Sequence, residues 1–261
     1  MSDILPKAPV SLLDLPTEIR ITIFENLLVD YAHTIQSENK FLGRRRSLTL
    51  ECPEKPQVRP DDRLSAEALC RLRNRRSGSN LSIPLLSVCT VISVEASNVF
   101  YGKNIFSFQS LDELNGFLIH NFRQIHLVRK VLVYEWHIDT KRLAYTNPSV
   151  AKSTFCLLSS AASLEAFYIG HGFLSQSDKP SSLESCAGIF YRSSYPWLQM
   201  IGVRNGDRFS ALSILQFPRP PRRFNPRPNP HTQQVPPPKW WETNEGIQKF
   251  KDSLKDIIKS E

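Results

Sequence analysis

The feature that most constrains this chain is an apolar helix introduced by a proline, within residues 12–28, LLDLPTEIRITIFENLL. Pro16 suits a first helical position, because its missing N–H is not needed there. Glu18 places a carboxylate near the positive helix end. The apolar residues that follow recur at helical spacing and predict one stripe: Ile19, Ile23, Phe24 and Leu27. Three leucines precede the helix as an apolar lead-in: Leu12, Leu13 and Leu15.

Bulk composition favours a folded protein of a reducing compartment. The chain has 261 residues, of which 41% are hydrophobic, so it can bury a real core. No apolar run approaches the roughly 20 residues that a membrane span needs, and we expect no signal peptide. Five widely spaced cysteines argue against a disulfide framework. We therefore expect a cytoplasmic or nuclear protein without membrane contact.

The net charge of +8 is concentrated in two segments. Residues 40–80 carry eleven Lys/Arg against five Asp/Glu, and residues 216–241 carry five Lys/Arg and no acid. We predict a basic, flexible insertion at residues 31–80 and a Pro/Arg-rich linker at residues 218–239. Tyr31 and Phe41 are the aromatic residues of the insertion, too few for base stacking, so we expect no nucleic-acid partner. A localisation signal in the insertion stays open.

A second structured segment is predicted to begin at Pro84. An apolar face that includes Ile92, Ala96, Val99 and Phe100 indicates a helix from that proline, with Gly102 as a left-handed cap. Ile105 to Phe108 then has the composition of a short strand.

Together, the opening "LPTEIR" and the later "LLSVC…EA…FYGKNIFSF" resemble the F-box-like proteins of filamentous fungi. The matching parts, residues 10–30 and 81–109, cover about a fifth of the chain. The resemblance implies a helical element that binds a Skp-type adaptor of cullin ubiquitin ligases. Its candidate adaptor-binding residues are Leu12, Leu13, Leu15, Pro16, Glu18, Ile19 and Ile23. The long insertion departs from a compact F-box, and Ile92-Ser93 stand where the usual tryptophan would be.

Residues 110–217 are organised as helix–strand units. Strands are predicted at Val131–Trp136, Leu164–Ile169 and Trp197–Val203, with centres 35 and 34 residues apart. The period resembles an irregular leucine-rich-repeat-like α/β array with adjacent, parallel strands. Asn205-Gly206 is a hairpin signal, so we expect the array to end in an antiparallel strand.

The C-terminal part offers a second set of partner candidates. Prolines beside arginines could bind an SH3 or WW domain, or serve as a spacer: Pro218, Arg219, Pro220, Pro221 and Arg222. Residues 240–261 predict an amphipathic helix that either docks on the body or binds a partner.

No catalytic, metal-binding or cofactor motif is recognisable, so we expect neither an enzyme nor a cofactor. We predict an α+β fold with α/β character, in which F-box-like helices pack on a small, mostly parallel sheet flanked by helices and ending in an antiparallel hairpin. The predicted function is a non-enzymatic protein-interaction module, as the substrate-recognition subunit of a ubiquitin ligase. A structural scaffold without a ligase role is the alternative, and an enzyme of unknown type is the third.

Overall fold

The structure is a computed structural model that describes residues 11–30, 35–37, 48–50, 82–136, 147–170, 183–217 and 243–260. Within these ranges one sheet has the strand order β2-β1-β3-β4-β5-β6. Its strands are β1 (Ile35–Ser37), β2 (Leu48–Leu50), β3 (Ile105–Ser110), β4 (Lys130–Glu135), β5 (Ala166–Ile169) and β6 (Leu215–Gln216). The β1–β2 pair is antiparallel, and every other pair is parallel. A small, mostly parallel sheet is thus confirmed.

Helices supply most of the rest of the described chain. They are α1 (Thr17–Leu28), α2 (Thr90–Lys103), α3 (Leu111–His120), α4 (Pro148–Leu158), α5 (Leu183–Asn205), α6 (Ser210–Ile214) and α7 (Asn244–Ser260). Three 3-10 turns lie at Leu12–Asp14, Ile83–Ser87 and Phe122–Leu127. Each of these seven helices contributes buried residues to the same hydrophobic core. None of the helices described here is both long and apolar enough to cross a membrane.

The N-terminal helices α1 and α2 lie side by side in the same direction and are joined at both ends. At one end Arg20 of α1 bonds to Glu95 of α2. At the other, the buried Asn104 donates to the carbonyls of Leu28 (2.7 Å) and Phe100 (2.8 Å) and accepts from the Asp30 amide (3.0 Å). One amide side chain therefore satisfies three backbone groups where two helices end.

Aromatic side chains attach this helix pair to the sheet. Phe100 and Tyr101 of α2 contact Phe106 of β3, with ring centroids 5.5 and 5.7 Å apart, and Phe106 contacts Phe117 of α3 at 5.2 Å. The Tyr101 hydroxyl donates to Asn121 Oδ1 at 2.9 Å, which satisfies the polar end of a buried ring. The pair and the sheet therefore share one packed interior.

The predicted third strand is wrong. Trp197 to Val203 lie inside α5, which continues through Pro196 to Asn205. The buried residues of α5 recur every three or four positions, so the apolar run has the helical and not the strand period: Ala187, Phe190, Tyr191, Ser194, Trp197, Leu198, Ile201 and Gly202. The helix period outweighs the tendency of an internal proline to end a helix.

The predicted C-terminal hairpin is also wrong. Gly206, with φ of 68°, turns the chain after α5 in the left-handed conformation that glycine favours. Residues 210–214 form α6 instead of a strand, and β6 then joins β5 in parallel. The antiparallel pair lies instead at the other edge of the sheet, between β1 and β2. The parallel neighbours β4 and β5 are as expected.

Two further features differ from expectation or extend it. Pro84 is the second residue of a 3-10 turn, and α2 begins only at Thr90, with Gly102 inside the helix and not as a left-handed cap. Strands β1 and β2 come from residues 31–80, and the rest of that insertion lies outside the described residues. So do residues 218–239, including Pro218, Arg219, Pro220, Pro221 and Arg222.

The C-terminal helix α7 docks on the body. Its buried line of Phe250, Leu254 and Ile258 packs into the core, and Lys251 donates to the Leu212 carbonyl at 2.8 Å. Lys255 lies 5.0 Å from the centre of the Phe209 ring.

Candidate partner-binding surface

The residues before α1 form a tight, internally bonded turn. Ser11 and Asp14 make a capping box, in which the Ser11 amide donates to Asp14 Oδ2 at 2.8 Å and the Leu13 amide donates to Ser11 Oγ at 3.3 Å. Leu15 and Pro16 are extended and lead directly into α1. The leucine-rich lead-in therefore has a defined shape.

Arg20 fixes that turn to both helices. Its guanidinium donates to both Glu95 oxygens, at 2.9 and 2.6 Å, in a bidentate pair. It also donates to the carbonyls of Leu13 (3.3 Å) and Leu15 (2.5 Å) and to Thr17 Oγ1 (3.0 Å). One side chain thus joins the turn, α1 and α2.

The environment of Arg20 is enclosed, with 9% of the residue exposed. Because Arg20 donates to it, the pKa of the Glu95 carboxyl lies below its ordinary value. The same hydrogen bond raises the pKa of Arg20. The pair is therefore charged throughout the neutral range. Arg20 therefore adds no exposed charge to this region, whereas Asp14 and Glu18 are exposed.

Exposed apolar side chains lie beside this pair along the chain. Ile19 precedes Arg20 in α1, Val91 and Val94 lie within four residues of Glu95 in α2, and Val88 ends the preceding 3-10 turn. Together with Leu13, whose carbonyl Arg20 binds, they are 46–60% exposed. We call Leu13, Ile19, Val88, Val91 and Val94 the α1–α2 apolar surface. Exposed apolar side chains on adjoining elements are a feature of sites where proteins associate.

The structure divides the predicted adaptor-binding residues into two groups. Leu13, Pro16, Glu18 and Ile19 are exposed. Leu12, Leu15 and Ile23 are half-buried, and Leu12 packs against the core. Ile19 and Leu27 do not belong to the inward stripe, because the buried line of α1 is Arg20, Phe24 and Leu28.

Sequence reasoning missed Glu95, Val88, Val91 and Val94 as members of the site. Glu95 stands in the "EA" of the second matching segment, and Arg20 ends "LPTEIR", so both halves of the pair were present in the strings that carried the resemblance. The signal available in the sequence was that Arg20 and Glu95, which lie on either side of the insertion, could form an ion pair. The three valines gave no signal, because their spacing also suits a core-facing helix.

Metal-ligating side chains are not clustered within the described residues. No group of three or more His, Cys, Asp or Glu side chains that could hold a metal ion occurs within them. The three cysteines in these ranges, Cys89, Cys156 and Cys186, are thiols.

Comparison with known proteins identifies one family. A family model described as a domain of unknown function, DUF7730, matches residues 7–157, which is more than half of the chain. The matched residues include both halves of the α1–α2 apolar surface. No curated protein and no solved structure matches the chain.

Proposed function

The chain belongs to the DUF7730 family, and we propose that it is a non-enzymatic protein-interaction module whose α1–α2 apolar surface binds an adaptor protein. In its specific form, the protein is the substrate-recognition subunit of a ubiquitin ligase, and the adaptor is of the Skp type. The observation that carries the proposal is that exposed apolar side chains lie on or beside the elements that the Arg20–Glu95 ion pair joins.

Rigidity matters to this proposal. A turn whose backbone carbonyls are bound by Arg20 presents Leu13 in a fixed position, so little conformational entropy is lost when a partner covers it. Glu18 and Asp14 supply exposed charge beside the apolar side chains, which is the usual composition of an interface rim.

The alternative is a scaffold in which the same helices only support the sheet. Half-burial of Leu12 and Leu15 favours this alternative, and Leu12 packs against the core. Exposed Leu13, Ile19 and the valines are not explained by packing and favour the adaptor. The two proposals therefore differ in what happens when exposed residues alone are changed.

The test is a titration of purified Skp-type adaptor into the wild-type protein and into Ile19→Ala/Val94→Ala. Both positions are exposed, so the free energy of unfolding should change by no more than about 0.5 kcal/mol each. Adaptor affinity should fall by about tenfold or more, because apolar residues at an interface centre dominate binding. Ile119→Ala/Phe122→Ala is the matched control, since these residues are similarly exposed, 55% and 61%, but lie beyond α2.

Equal adaptor affinity of Ile19→Ala/Val94→Ala and wild type, or no binding by wild type, would contradict the adaptor proposal. A drop in stability of a few kcal/mol in the same variant would instead support the scaffold.

A further inference from the structure

A second surface feature lies outside the residues that the family model matches. It is a cleft of about 410 Å³ between the C-terminal half of α5, the turn after it and the end of α7. This volume falls within the roughly 300–1,000 Å³ typical of ligand sites. The lining residues are Tyr191, Tyr195, Leu198, Gln199, Gly202, Val203, Gly206, Arg208 and Ile258.

The floor of the cleft is one face of α5 that is mostly apolar, with Gln199 donating to the Tyr195 hydroxyl between its two ends. Its α5 members recur every three or four residues, so they lie along one face of that helix. From Tyr191 to Val203 this face extends about 18 Å, which corresponds to about five or six residues of extended peptide. The Tyr191 and Tyr195 rings meet edge to face, with centroids 5.5 Å apart, and form one end. Length and apolar character suit a peptide segment.

Arg208 gives the other end a positive charge. It is exposed, and no carboxylate within the described ranges pairs with it. One N–H donates to the Ile258 carbonyl at the end of α7, which holds the guanidinium at the rim and leaves its other donors for a ligand. Asp207 Oδ1 accepts a hydrogen bond from the Phe209 amide, and no acidic side chain lines the cleft.

We infer that this cleft binds the C-terminal end of a partner polypeptide. Apolar side chains near that end would cover Val203, which is 77% exposed, and the terminal carboxylate would pair with Arg208. The position of Arg208 favours a terminal over an internal carboxylate, because the guanidinium lies where this face of α5 ends and not along its length. Arginine binds carboxylates with two parallel hydrogen bonds, which suits this role. The inference goes beyond adaptor binding and does not depend on it.

The experiment uses the full chain, immobilised, and two pools of hexapeptides that are randomised at the first four positions and end in two apolar residues. One pool has free C-terminal carboxylates, and the other has C-terminal amides. Wild type should retain the free-acid pool, and the affinity of retained peptides should fall about tenfold for their amides, as expected for the loss of one charged hydrogen-bonded pair.

Arg208→Gln should remove this preference for the free acid, and Val203→Ser, at an exposed position, should weaken binding of both forms. Arg192→Gln is the matched control, because Arg192 is an exposed arginine of α5 that does not line the cleft. Retention of neither pool, or equal retention of acids and amides, would overturn the inference. So would a wild-type dimer in sedimentation that Val203→Ser converts to monomer, because a second copy would then occupy the cleft.

Discussion

Arg20 and Glu95 are separated by 75 positions in the sequence, yet they form a bidentate ion pair that holds the first turn, α1 and α2 together. The side chains are 11% and 18% exposed, so solvent screens the pair only in part. Removing one member leaves an enclosed charge without its partner, which is the costly way to break such a pair. The shape of the α1–α2 apolar surface therefore depends on two polar residues.

The first prediction concerns acid stability. The pKa of Glu95 is lower in the folded than in the unfolded chain, so the pair stabilises the fold above the ordinary value of 4.5. That contribution is lost as the pH falls through the lowered pKa. Urea unfolding should therefore show that Glu95→Gln is less stable than wild type near pH 7, and that the difference narrows below about pH 4.

Glu165→Gln is the control for this measurement. Glu165 pairs with Arg129, and both side chains are 52% exposed, so the change should have little effect at either pH. If the loss of stability in Glu95→Gln were the same at acid pH as at pH 7, the carboxylate would not be the stabilising group.

The second prediction concerns Asn104. Asn104→Ala leaves the buried carbonyls of Leu28 and Phe100 and the Asp30 amide without this partner, and should lower the free energy of unfolding by about 2–4 kcal/mol. Asn115→Ala, which removes one exposed contact with Ser153, should cost under about 0.5 kcal/mol. Chemical denaturation of the two variants provides the comparison, and similar losses would rule out the special role of Asn104.

The third prediction concerns a close approach of two strands. A Cβ on Gly170 would lie 2.4 Å from the Tyr134 carbonyl oxygen, so Gly170→Ala must move β5 away from the end of β4. We expect a loss of about 1–3 kcal/mol by thermal or urea unfolding. Gly116→Ala, in α3 with nothing within 4 Å of the added atom, should instead stabilise the protein by about 0.5–1 kcal/mol. Stability changes of the same sign in Gly170→Ala and Gly116→Ala would contradict the close approach of Gly170 to Tyr134.

The fourth prediction concerns alkaline pH. Burial raises the pKa of Tyr101 to about 12 from its ordinary value of 10. The unfolded chain therefore ionises first, so the stability contribution of neutral Tyr101 is complete below about pH 10 and is lost as the pH rises towards 12. Between these limits wild type should lose roughly 2–3 kcal/mol more than Tyr101→Phe in urea unfolding. If the free energy of unfolding fell equally with rising pH in wild type and Tyr101→Phe, Tyr101 would ionise with its ordinary pKa.

The sequence contained enough information to predict most of the parallel sheet and the helices beside it. Strands β3, β4 and β5 have short apolar runs between turn signals. Ser110 and Glu113 have capping-box spacing, and Ser110 Oγ accepts from the Glu113 amide at the start of α3. These are local signals, which depend on neighbouring residues alone.

Errors arose where two readings of the same residues were locally acceptable. Trp197 to Val203 is apolar enough for a buried strand, and only the continuation of the α5 period from Phe190 and Tyr191 decides for a helix. In α1, the Ile19/Ile23/Leu27 line and the Arg20/Phe24/Leu28 line have identical spacing. An arginine is unexpected in a buried line of a helix. The burial of Arg20 is favourable because it pairs with Glu95 of α2, 75 positions away.

The most direct measurement of the central claim is amide hydrogen exchange of the full chain with and without purified Skp-type adaptor. If the α1–α2 apolar surface is the binding site, adaptor should slow exchange in residues 12–23 and 88–95, while amides of α5 and α7 keep their rates. Slowing confined to other segments, or identical exchange with saturating adaptor, would contradict the claim that this surface binds an adaptor.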